Sequence, residues 1–193
     1  MRAALRVIDR AGVHAATTQM VVAEARMCLA SFHYAFRSRD EMMHELVAFV
    51  VADEQRVSLE ALDPTADIRS AVRAAIQAYF EMLRAHPSRE WAFPELVQYS
   101  SRTPELKQLA RAQYASYLLT AKVLLERGAE NAERGWSLPV EELARILIAI
   151  TDGLTVARLA DRDDEAAETL IDFAADTIGA LALSRRALAP KSS

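Results

Sequence analysis

Apolar positions along this chain recur at the spacing of helices and nowhere at the strict alternation of a strand. From Thr17 a short run sets Val21, Val22 and Ala25 on one side, with the Thr17 hydroxyl placed to cap the helix start. After a break at Arg26 and Met27, Leu29, Phe32 and Phe36 stand at i, i+3 and i+7. That stripe can pack on the preceding helix and leaves Ser31, His33 and Tyr34 on the opposite face. Ser38-Arg39-Asp40-Glu41 then has the Ser-x-x-Glu spacing of a capping box, in which hydroxyl and carboxylate satisfy each other's backbone donors. Two short helices, a tight turn and a capped long helix predict a helix-turn-helix, the arrangement that lays its second helix in the DNA major groove.

Clear punctuation separates the helices that follow. One is expected over 39–62, with Met42, Met43, Leu46, Val50 and Leu59 inward and Asp63-Pro64 at its end; another runs over 67–85 and stops at His86-Pro87. A shorter helix spans 89–100, interrupted by Pro94; Thr103-Pro104 opens one that reaches about 134, Thr as N-cap and Pro as first helical residue. The last two cover 140–161 and 163–183. The fold class predicted is all-α: a helix-turn-helix DNA-binding domain over 1–46, a second helical domain over 47–184, for which a family resemblance carried by residues 17–42 implies ligand binding and dimerisation, and a disordered tail over 185–193.

The final two helices are apolar on more than one side. Leu143, Ile146, Leu147, Ile150 and Leu154 mark one face of the first, yet Ile148, Ala149, Val156, Leu159 and Ala160 cover much of the remainder. In the second, Glu168, Asp172 and Asp176 form a narrow acidic line, and Leu170, Ile171, Phe173, Ala174, Ile178 and Leu181 take the rest. A single core buries one stripe. The surplus predicts an intermolecular four-helix bundle in a homodimer, with Leu143, Ile150, Leu154, Leu170, Phe173 and Ile178 at the interface. Burial within a monomer is the competing reading.

Composition agrees with a helix-rich globule: 193 residues, 52% hydrophobic, five Gly and six Pro. No apolar run approaches the roughly 18 residues of a membrane span, Met1 opens no signal-peptide pattern, and the single Cys28 cannot form an internal disulfide, so a reducing cytoplasm is expected. The net charge of −4 argues against nonspecific nucleic-acid binding, but it is unevenly spread. Residues 1–39 carry six arginines against Asp9 and Glu24, which is +4, and the remainder stands at −8. The positive end is the end with the reader motif. Enzyme signatures are weak. Glu41-Met42-Met43-His44 has the Glu-x-x-His spacing of a di-iron helix but lacks the second copy that chemistry needs. Gly-rich phosphate loops, zinc spacings and a nucleophile elbow are absent from the sequence, so no enzyme, metal or cofactor is expected. Cys28 reads as an inert small residue before it reads as a redox sensor.

Thr17, Val21 four residues on, the turn near Arg26, Ala30-Ser31-Phe32, Phe36 and Ser38-Arg39-Asp40 together resemble the DNA-binding region of the TetR family of bacterial transcriptional regulators. The family usually has Gly where Arg26 stands, Ser or Thr where Cys28 would cap, and Tyr where His33 stands. The first two changes are physically unfavourable, because positive φ is cheap only for Gly and a thiol is a weak cap. The resemblance implies a ligand-responsive repressor that binds a palindromic operator as a homodimer. Ser31 and His33 would face base edges, with Thr17, Thr18, Tyr34 and Arg39 on phosphates and Arg26 and Ala30 completing the DNA-binding set. It also implies a pocket among the central helices for a small, largely apolar effector, lined by Tyr79, Trp91, Phe93 and Tyr117 with Gln98, Gln113 and Thr120 as polar fixtures. Asp152-Gly153-Leu154 is similar to a recurrent element of the family's C-terminal domains, where Gly lets helices approach. The alternative, motivated by Arg26, Cys28 and the short segment before Gly12, is a degenerate helical dimer that binds a small molecule or protein partner without DNA.

Overall fold

Residues 1–86 and 107–184 are described by the computed structural model of the chain, and among them are eight helices and one pair of short strands. In chain order these are α1 (Arg2–Ala11), α2 (Thr18–Ala25), α3 (Leu29–Ala35), α4 (Arg39–Glu60), α5 (Ile68–Ala85), α6 (Lys107–Asn131), β1 (Arg134–Trp136), α7 (Val140–Asp161), α8 (Asp164–Ala180) and β2 (Ala182–Ser184). The expected helix over 89–100 and the expected tail over 185–193 lie outside the described residues. The chain divides into two compact units, Met1–Asp53 with Leu83–Tyr114, and Glu54–Met82 with Ala115–Ser193.

In the first unit, α1 and α2 pack on each other and α2 on α3. Ala4, Val7, Ile8, Val13, Ala16, Val21, Phe32, Met42, Met43 and Leu46 are buried there. Charge reinforces the α1–α2 contact, since Arg6 Nε donates to Glu24 at 2.6 Å and Arg10 approaches the same carboxylate at 3.4 Å.

In the second unit the core is built from Val72, Ile76 and Phe80 of α5, Ala121 and Leu125 of α6, Leu143, Leu147 and Leu154 of α7, and Ile171, Ala174 and Ile178 of α8. The acidic line of α8 is not a solvent face. Arg69 is bonded to Asp176, Arg73 Nε donates to Asp172 at 2.8 Å and its Nη2 to Glu168 at 3.0 Å, and Gln77 Nε2 donates to Glu168 at 2.8 Å. Two lines with the same four-residue step, one on α5 and one on α8, therefore interlock. At one end of this seam the helices come close enough that a Cβ on Gly179 would lie 3.2 Å from Arg69 Cβ.

One expectation is corrected here. Arg134–Trp136 pairs antiparallel with Ala182–Ser184, Gly135 opposite Leu183, so α8 ends at Ala180 and not near 183. Strands of three residues are too short for alternation to reveal. Trp136 Nε1 donates to the Leu125 carbonyl at 3.2 Å, which fixes the ribbon against α6.

Candidate nucleic-acid interface

The reader starts at a real cap. Thr17 has extended backbone and its hydroxyl accepts from the Met20 N–H at 3.3 Å. At the other end of α2, Arg26 is left-handed, with φ 54° and ψ 42°. Its N–H donates to the Ala23 carbonyl at 3.1 Å and the next N–H, of Met27, to Val22 at 2.9 Å. That pair of bonds is a Schellman motif, which closes a helix most cheaply with Gly. The turn geometry is thus kept with an arginine in it.

Cys28 takes the N-cap position of α3 with extended backbone, yet its side chain makes no capping hydrogen bond of normal geometry. The thiol instead lies 3.2 Å from the Ser31 hydroxyl. That hydroxyl, followed by the Ser31 and Ala30 backbone, holds the Cys28 thiol below its ordinary pKa. Ser31 is in consequence half-buried and engaged within its own helix turn, while Ala30, His33 and Tyr34 are exposed, Tyr34 at 95%. Phe32 is the inward residue of α3, with its ring 5.3 Å from that of Phe36.

At the start of α4 the Ser38 hydroxyl accepts from the Glu41 N–H at 3.1 Å, as a capping box requires. The reciprocal bond falls one residue earlier, because the Glu41 carboxylate accepts from the Arg37 N–H at 2.5 Å and from its guanidinium at 3.2 Å. The Arg37 N–H is the first reason that Glu41 is held below the usual carboxylate range. Arg39 turns inward: Nε donates to the Ala16 carbonyl at 2.8 Å and Nη2 to that of Val13 at 2.5 Å. It ties the turn before α2 to the head of α4, a role that its place in an arginine-rich segment did not signal. Of the expected DNA-facing set, Thr17, Arg26, Ala30, His33 and Tyr34 are exposed, Thr18 and Ser31 half-buried, and Arg39 engaged with backbone. Among the described residues the arginines of 1–39 that enter no ion pair or side-chain hydrogen bond are Arg2 and Arg26.

The residues expected around an effector are only partly placed. Trp91, Phe93 and Gln98 lie outside the described residues. Gln113, in the first unit, is buried, and its Nε2 has no hydrogen-bond partner. In the second unit Tyr79, Tyr117 and Thr120 are half-buried, and the Thr120 hydroxyl donates to the Ser116 carbonyl. An apolar cavity of about 20 Å³ lies between Leu62, Ile68, Val72, Leu125, Trp136 and Leu147. Space of that order holds about one water molecule, and of the expected effector residues described in this unit, Tyr79, Tyr117 and Thr120, none borders it.

The expected subunit face needs correction. Leu143, Leu154 and Ile178 are 0–1% exposed within the single chain, so they have no area to lose to a partner. Ile150 and Leu170 pack partly against the same core. Phe173 alone of the six points outward, 63% exposed. The outward stripe of α7 is Ile146, Ala149, Gly153, Val156 and Ala160, and that of α8 is Ala166, Thr169, Phe173, Thr177 and Ala180. Helical spacing singles out only Phe173 of the α8 stripe, and of the α7 stripe it sets Ala149, Val156 and Ala160 as surplus to the first face and Ile146 within it. Size does not sort the side chains, since Phe173, Val156 and Ile146 are outside while Ala144, Ala167, Ala174 and Ala175 are buried.

Comparison with known proteins bears on both units. Residues 1–46 match the sequence profile of bacterial regulatory proteins of the tetR family, and residues 64–183 that of the C-terminal domain of BetI-type transcriptional repressors. The nicotine-responsive helix-turn-helix repressor HdnoR of Paenarthrobacter nicotinovorans is 26% identical over 181 residues, 92% of each chain. Among solved structures, FadR of Bacillus subtilis in complex with stearoyl-CoA superposes with a TM-score of 0.73 at 15% identity, covering 92% of this chain and 94% of that one. A regulator from Saccharomonospora viridis in complex with choline gives 0.70 at 20% identity, with 95% of both chains covered.

Proposed function

The chain belongs to the TetR family of bacterial transcriptional regulators, and from that premise we propose that it is a repressor which, in the cytoplasm, holds a near-palindromic operator as a homodimer and releases it when a small molecule binds the helical unit. The observation that carries the reading is the outward face of α3, where Ala30, His33 and Tyr34 stand clear of the fold on a helix held between a Schellman turn and a capped α4. A rigid, exposed short helix at the positive end of an acidic chain suits entry into the major groove. His33 reads base edges; Tyr34, Thr17, Thr18 and Arg26 meet phosphates, which set register without reading sequence. The outward stripes of α7 and α8 form the subunit bundle, and Gly153, around which a Cβ would meet nothing within 4 Å, marks the place where a partner helix approaches closely.

Selection of bound genomic fragments followed by affinity measurement over a range of salt tests this. The expected result is a palindromic site whose affinity falls steeply with salt as counterions are released. Tyr34→Ala should weaken all duplexes alike, and His33→Ala should change the preference among them. Equal, salt-insensitive affinity for selected and random duplexes would favour the non-DNA-binding alternative.

HdnoR is named for its response to nicotine, a base, while FadR is in complex with an acyl thioester and the Saccharomonospora regulator with a quaternary ammonium ion. Likeness alone therefore leaves the effector's chemistry open, and side chains of the helical unit have to supply it.

A further inference from the structure

Arg158 of α7 is turned into the second unit, its side chain 11% exposed and its guanidinium carbon 5.3 Å from the centre of the buried Phe80 ring. Nη1 is bonded to Asp164 at the start of α8. The opposite edge is different. Nε is buried and has no hydrogen-bond partner, and among the described residues Nη2 makes no hydrogen bond. The Nε/Nη2 edge is the one on which a guanidinium grips an oxyanion with two parallel bonds, and on α5 Arg73 uses that edge for Asp172 and Glu168. A buried, ionised N–H without an acceptor is rare in a folded protein and calls for an explanation.

One hydroxyl, Thr155, lies a turn before Arg158 on α7, and a second, Tyr79 of α5, is bonded to it. Thr155 donates to the Thr151 carbonyl at 2.9 Å, so in its 2.8 Å contact with Tyr79 it is the tyrosine that donates. The result is a polar corner between α5 and α7, bounded by the Phe80 ring. Its vacant valence is a donor. A cationic ligand would have to face the guanidinium, whereas an oxyanion completes it, and Asp164 already balances the charge on the other edge.

We propose that the effector carries an oxyanion head, carboxylate or phosphate, which docks on the Nε/Nη2 edge of Arg158 with its apolar body beside Phe80. This rests on the reading of the helical unit as an effector-binding domain, and it differs from a purely apolar ligand and from the cationic choline named for one of the structural neighbours.

The test uses the full chain. Acetate and inorganic phosphate are titrated while the assigned Arg158 Nε–H resonance is followed, with chloride at matched ionic strength as control. A saturable shift with either anion is expected, and which of them shifts it more strongly identifies the head group. Calorimetry with octanoate, octanamide and octyltrimethylammonium should then show octanoate at least tenfold tighter than the other two. Arg158→Lys, which keeps the charge but loses the fork, should lower octanoate affinity at least tenfold. An Nε–H that ignores both anions, or octanamide or the ammonium ion binding as tightly as octanoate, would overturn the proposal; the wild-type spectra decide even if the Lys variant folds poorly. Operator affinity separates the two levels. Octanoate bound at Arg158 without any change in operator affinity keeps the site and removes the effector reading, whereas operator release by the ammonium ion alone keeps the effector reading and removes the oxyanion site.

Discussion

Arg26 is held in the left-handed region by two backbone bonds, so its strain is local to one residue. The left-handed conformation costs a side-chain-bearing residue roughly 1–2 kcal/mol, and a glycine there gives back about 0.5–1 kcal/mol through the greater freedom of the unfolded chain. Arg26→Gly should therefore raise stability by about 0.5–1 kcal/mol in urea unfolding. Operator affinity measured on the same variant completes the account: unchanged affinity assigns the residue to the turn alone, and a fall assigns its guanidinium to a phosphate. Glu24 gives a pH signature. Its bond to Arg6 holds its carboxyl below the ordinary value, so the folded state binds that proton less tightly than the unfolded chain. The α1–α2 tie is then present above the unfolded pKa of about 4.5 and is lost as pH falls through the folded one. Glu24→Gln should be less stable than wild type at neutral pH, and the urea midpoints of the two should converge as pH falls below the ordinary carboxylate range. Caps and the positive-φ turn were legible in the sequence because their chemistry spans three to five residues. The inward turn of Arg39 was not, since its acceptors are backbone carbonyls 23 and 26 residues away that no side-chain pattern announces.

Two-sided helices explain most of what spacing could and could not say. Periodicity showed that α7 and α8 carry more apolar surface than one core needs, but a rotation of about 100° per residue decides which stripe faces inward, and that depends on neighbours far along the chain. Leu143, Leu147 and Leu154 fill the interior where volume is needed; the stripe through Ala149, Gly153 and Val156 remains outside. The line of Glu168, Asp172 and Asp176 was legible as a line, yet its partners on α5 stand some 90 residues away or more. These ion pairs are half exposed and screened by solvent, so the seam works by register more than by strength. Close approach matters more at its end. Gly179→Ala gains up to about 1 kcal/mol of helix propensity but forces the new methyl against Arg69, an overpacking that costs roughly 1–3 kcal/mol. A net loss of about 1 kcal/mol is expected in thermal or urea unfolding.

At the scale of the molecule, fold class and the reader were legible because both are written in local helical signals, and the residue-level interface was not, because a monomer core and a subunit face use the same side chains. Paired substitutions distinguish the two surfaces. Leu154→Glu places a carboxylate in the core, which costs several kcal/mol, and should unfold the second unit. Phe173→Glu should leave the far-ultraviolet spectrum intact while light scattering shows monomer and palindrome binding disappears. A Phe173→Glu chain that stays dimeric would move the interface to another surface. The thiol at the head of α3 has a practical consequence here. Cys28 is the one cysteine of 193 residues, it is exposed, and its lowered pKa favours labelling near neutral pH. A homodimer then carries two chemically identical tags, one on each reading helix and related by its two-fold axis. The distance between them is a molecular ruler for the separation of the readers, and its change on adding a ligand would give the amplitude of the switch in ångströms.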